Sequence, residues 1–344
     1  MARAKQRTTK GSRKTALSAA VTATAAGAAW GASYLNDRRR IAADPQHAAL
    51  MNPVGGRSVP VRAGDGTDLR VRVFGPDGAP TVVFVHGWTC ALEFWTLQIQ
   101  ALQGDLRLVA YDLRGHGESA PSSGGDYSIQ AYAGDLDSVL RATVPAGERA
   151  VLVGHSLGAM TIVAWASDRR PDEIEDRVSA AGLFSTGVGD LITSALVLPA
   201  SGVGDRIQQE LTQLFLGSSA PLPRKASPVV NRVVQYVALC GAASPATVSF
   251  CSQMVLRCPR DVRANTGTTL SSLDLYEGVE ALTVPTTVLV GTDDRLTPPV
   301  HAERLADRLP QLHDLVELPR VGHMAPVENP HATTAAIRSL VAVA

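Results

Sequence analysis

From Arg57 onward, short runs of apolar residues alternate along the chain with longer segments of helical periodicity. Two early runs, 57–64 and 68–75, alternate apolar and polar residues on either side of Asp65-Gly66, which predicts an antiparallel hairpin at a sheet edge. Six later runs are almost continuously apolar, as in parallel strands buried on both faces: TVVFVHG, LRLVAYD, RAVLVGH, VSAAGLFS, PTTVLVG and HDLVELPR. This order predicts an α/β fold, an eight-stranded and mostly parallel sheet with helices on both faces.

The charge balance narrows the classes of function. The 344 residues contain 32 Lys and Arg and 32 Asp and Glu, whereas a nucleic-acid-binding protein usually carries a basic excess. With 45% apolar residues, the chain can bury a large core. The sequence contains no metal-ligand cluster, phosphate-binding loop or dinucleotide fingerprint, so we expect no metal, no cofactor and no nucleic-acid partner.

The first forty residues differ in composition from the rest. Six cations and no acid in residues 3–14 precede an uncharged segment, 15–34, which is followed by Arg38, Arg39 and Arg40. The uncharged segment is long enough to cross a bilayer but contains few large apolar residues. Three interpretations stay open: a weak membrane anchor through residues 15–34, a cleaved signal segment of an exported protein, and a disordered or surface-helix extension of a cytoplasmic one.

Four cysteines do not settle the compartment. Three of them, Cys240, Cys251 and Cys258, lie within one short stretch, where a disulfide could form in an exported protein. Buried free thiols are the simpler interpretation.

The pentapeptide GHSLG, Gly154 to Gly158, joins a strand-like run to the helix-like segment 157–168. The G-x-S-x-G pattern is typical of a sharp turn that holds the Ser156 hydroxyl above a sheet edge. Gly154 and Gly158 give clearance where a side chain would collide. A strand-to-helix turn that merely contains a serine is the alternative, so the motif needs partners.

Candidate partners of Ser156 follow two later strands. A serine hydroxyl becomes an effective nucleophile when an imidazole accepts its proton and a carboxylate orients that imidazole. Asp293 and Asp294 follow PTTVLVG, and His323 follows HDLVELPRVG, so these side chains lie where strands end. The chain order Ser, acid, His is the order typical of folds with this turn.

Five motifs in this order resemble the α/β-hydrolase superfamily over residues 57–344: VFVHGW (83–88), DLRGHGES (112–119), GHSLG (154–158), GTDDRLTP (291–298) and GHMAPVENP (322–330). The sequence is similar to the branch with a serine nucleophile and a helical cap, which contains esterases and lipases. The resemblance implies Ser156 as nucleophile, His323 as general base and Asp294 as the acid, with Asp293 as the competitor.

An acyl transfer through Ser156 also needs two N–H donors for the negative charge of the tetrahedral intermediate. We predict the backbone N–H of Leu157, at a helix N-terminus, and that of Trp88, in the turn after VFVHG. The sequence HGWT departs from the HGGG motif of lipases. Asp112 and Arg114 are expected to hold the DLRGHGES loop by hydrogen bonds and charge.

The stretch between GLFSTG and PTTVLVG is longer than a strand crossover needs, and its amphipathic segments predict helices. The resemblance implies that they form a cap. The expected organisation is therefore an N-terminal extension at 1–40, a hydrolase core at 57–187 and 265–344, and a helical cap at 188–264. Leu214 and Phe215 lie on an apolar stripe of one such helix and are candidates for the substrate pocket.

Together these features predict a serine hydrolase that cleaves a carboxylic ester with an apolar, medium-chain acyl group through an acyl-enzyme. The same triad serves thioester, amide and C–C bond hydrolysis, acyl transfer and cofactor-free perhydrolysis, so these stay open. A hydrolase fold retained as a non-catalytic ligand-binding module is the alternative from another class. The expected partner is a small-molecule ester. We expect the protein to be membrane-associated or exported, with a cytoplasmic location as the alternative.

Overall fold

A computed structural model describes residues 31–191, 195 and 217–344. Within these residues the strands are β1 Arg57–Arg62, β2 Asp68–Phe74, β3 Thr81–Val85, β4 Arg107–Tyr111, β5 Ala150–His155, β6 Val178–Phe184, β7 Thr286–Gly291 and β8 Leu312–Leu318. They form one eight-stranded sheet in the order β1-β2-β4-β3-β5-β6-β7-β8. The pairs β1·β2 and β2·β4 are antiparallel and all others parallel, which confirms the predicted sheet.

Helices cover both faces of this sheet. In chain order the described helices are α1 31–42, α2 His47–Met51, α3 Thr96–Leu102, α4 Ile129–Thr143, α5 Leu157–Ser167, α6 Pro171–Glu175, α7 Pro228–Ala238, α8 Pro245–Arg257, α9 Arg260–Ser271, α10 Tyr276–Glu280, α11 Pro299–Ala306, α12 Ala325–Glu328 and α13 Pro330–Val343. A short 3₁₀ helix, Leu92–Trp95, precedes α3. Helices α4 and α5 pack on one face, and α3 and α13 on the other.

The apolar runs of the central strands serve both cores. In β3, Val83 and Val85 face the α4–α5 side, whereas Val82 and Phe84 face the α3–α13 side, because successive side chains of a strand point to opposite faces. Strand β8 differs from the expectation of a buried strand: only Leu318 is buried. It lies at the sheet edge and pairs with β7 alone, so its outer side chains meet solvent.

The predicted hairpin is present at the opposite edge. Strands β1 and β2 pair from Arg57↔Val73 to Arg62↔Asp68. Gly66 adopts φ 89° in the connecting turn, and the Thr67 N–H donates to the Asp65 carboxylate at 3.0 Å. This local turn chemistry is why Asp65-Gly66 could be recognised from the sequence.

Helices α7, α8 and α9 lie between β6 and β7, where the sequence predicts a helical insertion. Helix α9 continues across the boundary predicted at residue 264. Residues 192–194 and 196–216, which include Leu214 and Phe215, lie outside the described residues. The division into a core and a cap at 188–264 therefore stays a prediction.

The described residues that precede β1 contact this insertion. Asp37 accepts a hydrogen bond from the Asn231 side chain at 3.3 Å, and Asp44 accepts the N–H of Ala246 in the first turn of α8 at 3.0 Å. Residues 1–30, with most of the uncharged segment, lie outside the described residues. Among the helices that the structure describes, none has both the length and the hydropathy to cross a membrane.

All four cysteines are buried free thiols. Burial raises the pKa of Cys90 to about 12 and that of Cys240 to about 11. The protonated thiols are weak nucleophiles, so they act as small apolar side chains of the core.

Close packing of α5 on β3 generates a prediction about Gly158. A Cβ at Gly158 would lie 2.1 Å from the carbonyl oxygen of Val85, a backbone atom that cannot move aside. We expect Gly158→Ala to lower the free energy of unfolding by about 1–3 kcal/mol, the usual cost of overpacking, as measured by urea denaturation. Gly124→Ala is the matched control because a Cβ there meets nothing within 4 Å. Equal stability of the two variants would contradict the packing argument.

Candidate active site

Ser156 lies at the sharp turn between β5 and α5, where its backbone adopts φ 52° and ψ −118°. A positive φ is strained for a residue with a side chain. The Ser156 N–H donates to the Phe184 carbonyl at 2.9 Å, and the Ser156 carbonyl accepts from the Thr186 hydroxyl at 3.0 Å. Both partners lie at the end of the neighbouring strand β6, which therefore holds the strained turn in place.

Two glycines allow this turn to close. A Cβ on Gly154 would lie 2.4 Å from the backbone nitrogen of Ala159, and a Cβ on Gly158 would lie 2.1 Å from the carbonyl oxygen of Val85 at the end of β3. Side chains at either position would separate α5 from the sheet. The first turn of α5 thus approaches the carboxyl ends of β3 and β5 as closely as backbone atoms permit.

His323 and Asp294 follow β8 and β7 and meet at the same sheet edge. The His323 Nδ1–H donates to Oδ2 of Asp294 at 2.8 Å, and both side chains are buried. Because a carboxylate only accepts, Nδ1 carries the proton and Nε2 keeps its lone pair for a proton from another group. Asp293 is exposed and its carboxylate accepts from the Thr292 hydroxyl at 3.3 Å.

Thr297 fixes the Asp294 carboxylate in this orientation. Its N–H donates to Oδ1 and its hydroxyl to Oδ2, both at 2.9 Å, and the Leu296 N–H also donates to Oδ1 at 2.9 Å. No motif in the sequence predicted a role for Thr297. Its spacing of three residues from an aspartate is the signal, because aspartates bond to nearby backbone groups in such turns.

His155 packs the His323 loop against the Ser156 turn. The two imidazole rings lie 4.9 Å apart, and the His155 Nε2–H donates to the His323 carbonyl at 2.8 Å. Burial holds the pKa of His155 well below its usual range, so the ring is neutral. Among the residues that the structure describes, no hydrogen bond joins the Ser156 hydroxyl to His323; such bonds often tighten only when substrate binds.

The two predicted oxyanion donors lie where β3 meets α5. The backbone N–H groups of Trp88 and Leu157 donate to no backbone carbonyl within the described part of the chain. Thr89 adopts φ 60° and bends the turn after β3. Leu157 is the first residue of α5, whose N-terminal dipole favours negative charge. Both N–H groups are therefore available to an anionic oxygen.

The loop at residues 112–119 is held by Asp112 and Arg114. The Asp112 carboxylate accepts the N–H of Leu92 at 2.7 Å and that of Glu118 at 2.8 Å. Arg114 forms a bidentate pair with Asp135, with both contacts at 2.7 Å. This is the structural role expected for Asp112 and Arg114.

His86 and His116 have structural contacts. The His86 Nδ1–H donates to the Gly87 carbonyl at 2.8 Å, while its Nε2 accepts the Leu113 N–H at 3.0 Å. Nδ1 of His116 bonds to the Arg114 carbonyl at 3.0 Å. Burial lowers the pKa of His86 to about 4 and that of His116 to about 3, so both rings stay neutral.

The helical insertion contacts two loops of this edge and helix α4. The Trp88 indole N–H donates to the Arg263 carbonyl at 3.1 Å, and the His323 N–H donates to the Ala238 carbonyl at 3.0 Å. Thr266 bonds to the Tyr132 hydroxyl at 2.7 Å. Among the described residues, no group of three His, Cys, Asp or Glu side chains could hold a metal ion.

Comparisons with known proteins identify the family of this chain. Residues 82–337 match the profile of the alpha/beta hydrolase family. A protein of Variovorax paradoxus that bears the name carbamate hydrolase RutD is 30% identical over 261 residues, 74% of this chain and 89% of its own. The bifunctional esterase/perhydrolase DCH of Acinetobacter calcoaceticus is 27% identical over 280 residues, 76% of this chain and 91% of its own.

A solved structure, a thermophilic esterase from Thermogutta terrifontis in a malate-bound form, has the same fold. It superimposes with a TM-score of 0.64 at 24% identity, covering 83% of this chain and 97% of its own. The family profile spans more than half of the 344 residues. The protein therefore belongs to the alpha/beta hydrolase family and is an enzyme of the α/β-hydrolase type.

Proposed function

We propose that the protein is a serine hydrolase that cleaves carboxylic esters through an acyl-enzyme, with Ser156, His323 and Asp294 as its catalytic triad. The observation that carries the proposal is the 2.8 Å bond from His323 to Asp294, formed beside a strained turn that presents a serine. This is the set of groups that nucleophilic acyl transfer requires. The relative named an esterase/perhydrolase supports the choice of an ester.

In the first half of the reaction, Nε2 of His323 accepts the Ser156 hydroxyl proton as Oγ attacks the ester carbonyl. Asp294 stabilises the resulting imidazolium through the Nδ1–H bond. The backbone N–H groups of Trp88 and Leu157 donate to the oxyanion of the tetrahedral intermediate. As the C–O bond breaks, the imidazolium gives its proton to the leaving alcohol, and the acyl group stays on Oγ.

In the second half, His323 accepts a proton from water, whose oxygen attacks the acyl carbonyl. The second tetrahedral intermediate collapses with release of the carboxylic acid, and the proton returns from Nε2 to the Ser156 Oγ. The chemistry needs only the chain's own residues and water. His323 is the histidine at this site whose Nδ1 bonds to a buried carboxylate, whereas burial keeps the rings of His86, His116 and His155 neutral.

A second candidate activity differs only in the acceptor of the acyl group. If hydrogen peroxide replaces water in the second half, the product is a peracid, and the relative named a bifunctional esterase/perhydrolase favours this candidate. Because another relative is named a carbamate hydrolase, a carbamate is included as a test substrate. A panel of p-nitrophenyl esters and a carbamate, with and without hydrogen peroxide, ranks these activities by kcat/KM.

The first prediction of the proposed function concerns the nucleophile. Ser156→Ala should lower kcat by about 10⁴–10⁶-fold and abolish labelling by a fluorophosphonate, because no other group can form the acyl-enzyme. Ser167→Ala, at the far end of α5, is the control and should leave both kcat and labelling unchanged. The measurements are p-nitrophenyl ester hydrolysis and gel-based labelling. Undiminished labelling of Ser156→Ala would exclude the assignment.

The second prediction separates the adjacent aspartates. Asp294→Asn should lower kcat by about 10⁴-fold, because Nδ1–H loses the carboxylate that orients the ring and stabilises its charge. Asp293→Asn should stay close to the unmodified enzyme, since that side chain is exposed and contacts Thr292. Steady-state kinetics on one ester decides the ranking, and the reverse order would move the acid to Asp293.

The third prediction concerns the acyl group. Each buried methylene contributes about 0.8 kcal/mol, close to fourfold in specificity constant. We expect kcat/KM to rise along p-nitrophenyl esters from acetyl to hexanoyl or octanoyl, and polar substitution at Leu214 or Phe215 to flatten the rise. Gln213→Ala, on the polar side that the sequence predicts for the same segment, is the control. A profile that falls steadily from acetyl would indicate a small substrate.

A further inference from the structure

Glu328 is the last residue of α12, and its carboxylate accepts hydrogen bonds from the backbone of the loop that carries His323. Its Oε2 accepts the N–H of Gly322 at 3.2 Å, and its Oε1 accepts the N–H of Met324 at 3.0 Å. These residues are the two neighbours of His323 in the chain. One carboxylate therefore fixes the peptide groups on both sides of the proposed general base.

The same carboxylate also joins this loop to the helical insertion. Oε2 of Glu328 accepts the N–H of Cys240, just after α7, at 2.7 Å. The His323 N–H in turn donates to the Ala238 carbonyl in the last turn of α7 at 3.0 Å. A Cβ on Gly322 would lie 2.5 Å from the Cys240 nitrogen, so the two backbones are in close contact.

As a result, three consecutive N–H groups, those of residues 322, 323 and 324, all have fixed acceptors. These three hydrogen bonds leave the backbone at His323 little rotational freedom. Because the backbone conformation limits the rotamers of a side chain, they also limit the direction of the imidazole. The Nδ1–H bond to Asp294 depends on that direction. Misplacement of a catalytic group by about 1 Å can cost about 10²-fold in rate.

The chemistry of the site requires a carboxylate. Three N–H donors converge on Glu328, and a carboxylate offers about four acceptor positions with negative charge. A glutamine of the same length has one acceptor oxygen, so its NH₂ group would face at least one of these three N–H donors. Burial raises the pKa of the Glu328 carboxyl, while the N–H donors of Cys240, Gly322 and Met324 oppose that shift by stabilising the ionised form.

We propose that Glu328 is a positioning residue that holds His323 in line with Asp294 and couples this alignment to the end of α7. The kinetic part of the proposal rests on the proposed function, since it takes His323 as the general base. The geometric part, the alignment of His323 with Asp294, does not.

The test compares Glu328→Gln with Asp137→Asn. Asp137, on α4, also accepts several donors, from Trp165 and Arg169 near the end of α5 and from Arg141, but it contacts neither His323 nor its loop. Asp137→Asn therefore reports the effect of losing a structural carboxylate. Urea denaturation measures the stability of each variant, and p-nitrophenyl hexanoate is the kinetic probe.

Two readouts distinguish positioning from stability. The first readout is the change in kcat compared with the change in KM. We expect Glu328→Gln to lower kcat about 10–100-fold and to keep KM within about twofold of the unmodified enzyme, because the residues that bind the ester are unchanged. The second is the downfield proton resonance of the His323 Nδ1–H bonded to Asp294, assigned by its loss in His323→Ala. This resonance should weaken or disappear in Glu328→Gln and persist in Asp137→Asn.

A second variant covers the case in which Glu328→Gln does not fold. Glu328→Asp keeps the charged acceptor but shortens its reach, and we expect a smaller loss of kcat with a weakened resonance. An unchanged resonance and an unchanged kcat in the folded variants, with only stability lowered, would overturn the proposal.

Failure of the proposed function is separately visible. If Ser156→Ala still turned over the ester, the nucleophile assignment would fall, but the resonance would still report whether Glu328 aligns His323 with Asp294. If the resonance responds as expected and the ester is not hydrolysed, the positioning role holds for a different reaction.

Discussion

The strained turn at Ser156 depends on the parallel alignment of β3, β5 and β6, and the site depends on that turn. Strand β6 supplies the Phe184 carbonyl that holds the Ser156 N–H, while β3 lies so close to Gly158 that no side chain fits between them. The adjacent strands thus offset the cost of a positive φ at a serine. The backbone conformation held by these contacts places Ser156 at the sheet edge.

The hydrogen-bond partner of His323 differs in kind from those of His86, His116 and His155. His86, His116 and His155 bond to backbone groups, and burial keeps each of them neutral. His323 bonds instead to a buried carboxylate, whose position is fixed by three donors from Leu296 and Thr297. A carboxylate in this position is the partner that stabilises a general base when the base accepts a proton.

The chain's linear order determined much of this arrangement. Continuous apolar runs identified the buried strands, Asp65-Gly66 identified the hairpin turn, and the G-x-S-x-G spacing identified the strand-to-helix turn at Ser156. These signals are local: they depend on φ/ψ preferences and on side-chain period, which a sequence carries directly. The run HDLVELPR, residues 313–320, was misleading because burial on both faces depends on having two neighbouring strands, and β8 has only β7.

The sequence by itself determined the fold class and brought Ser156, Asp293, Asp294 and His323 to one sheet edge as candidates. Only the tertiary structure decided which of the two aspartates bonds to His323, since both follow β7 and the contact depends on which carboxylate the His323 loop reaches. It alone revealed the contacts of Thr297, His155 and Glu328 with the His323–Asp294 pair and its loop. Such contacts depend on how loops that are far apart in the sequence pack against each other. Local preferences of the sequence do not encode that packing.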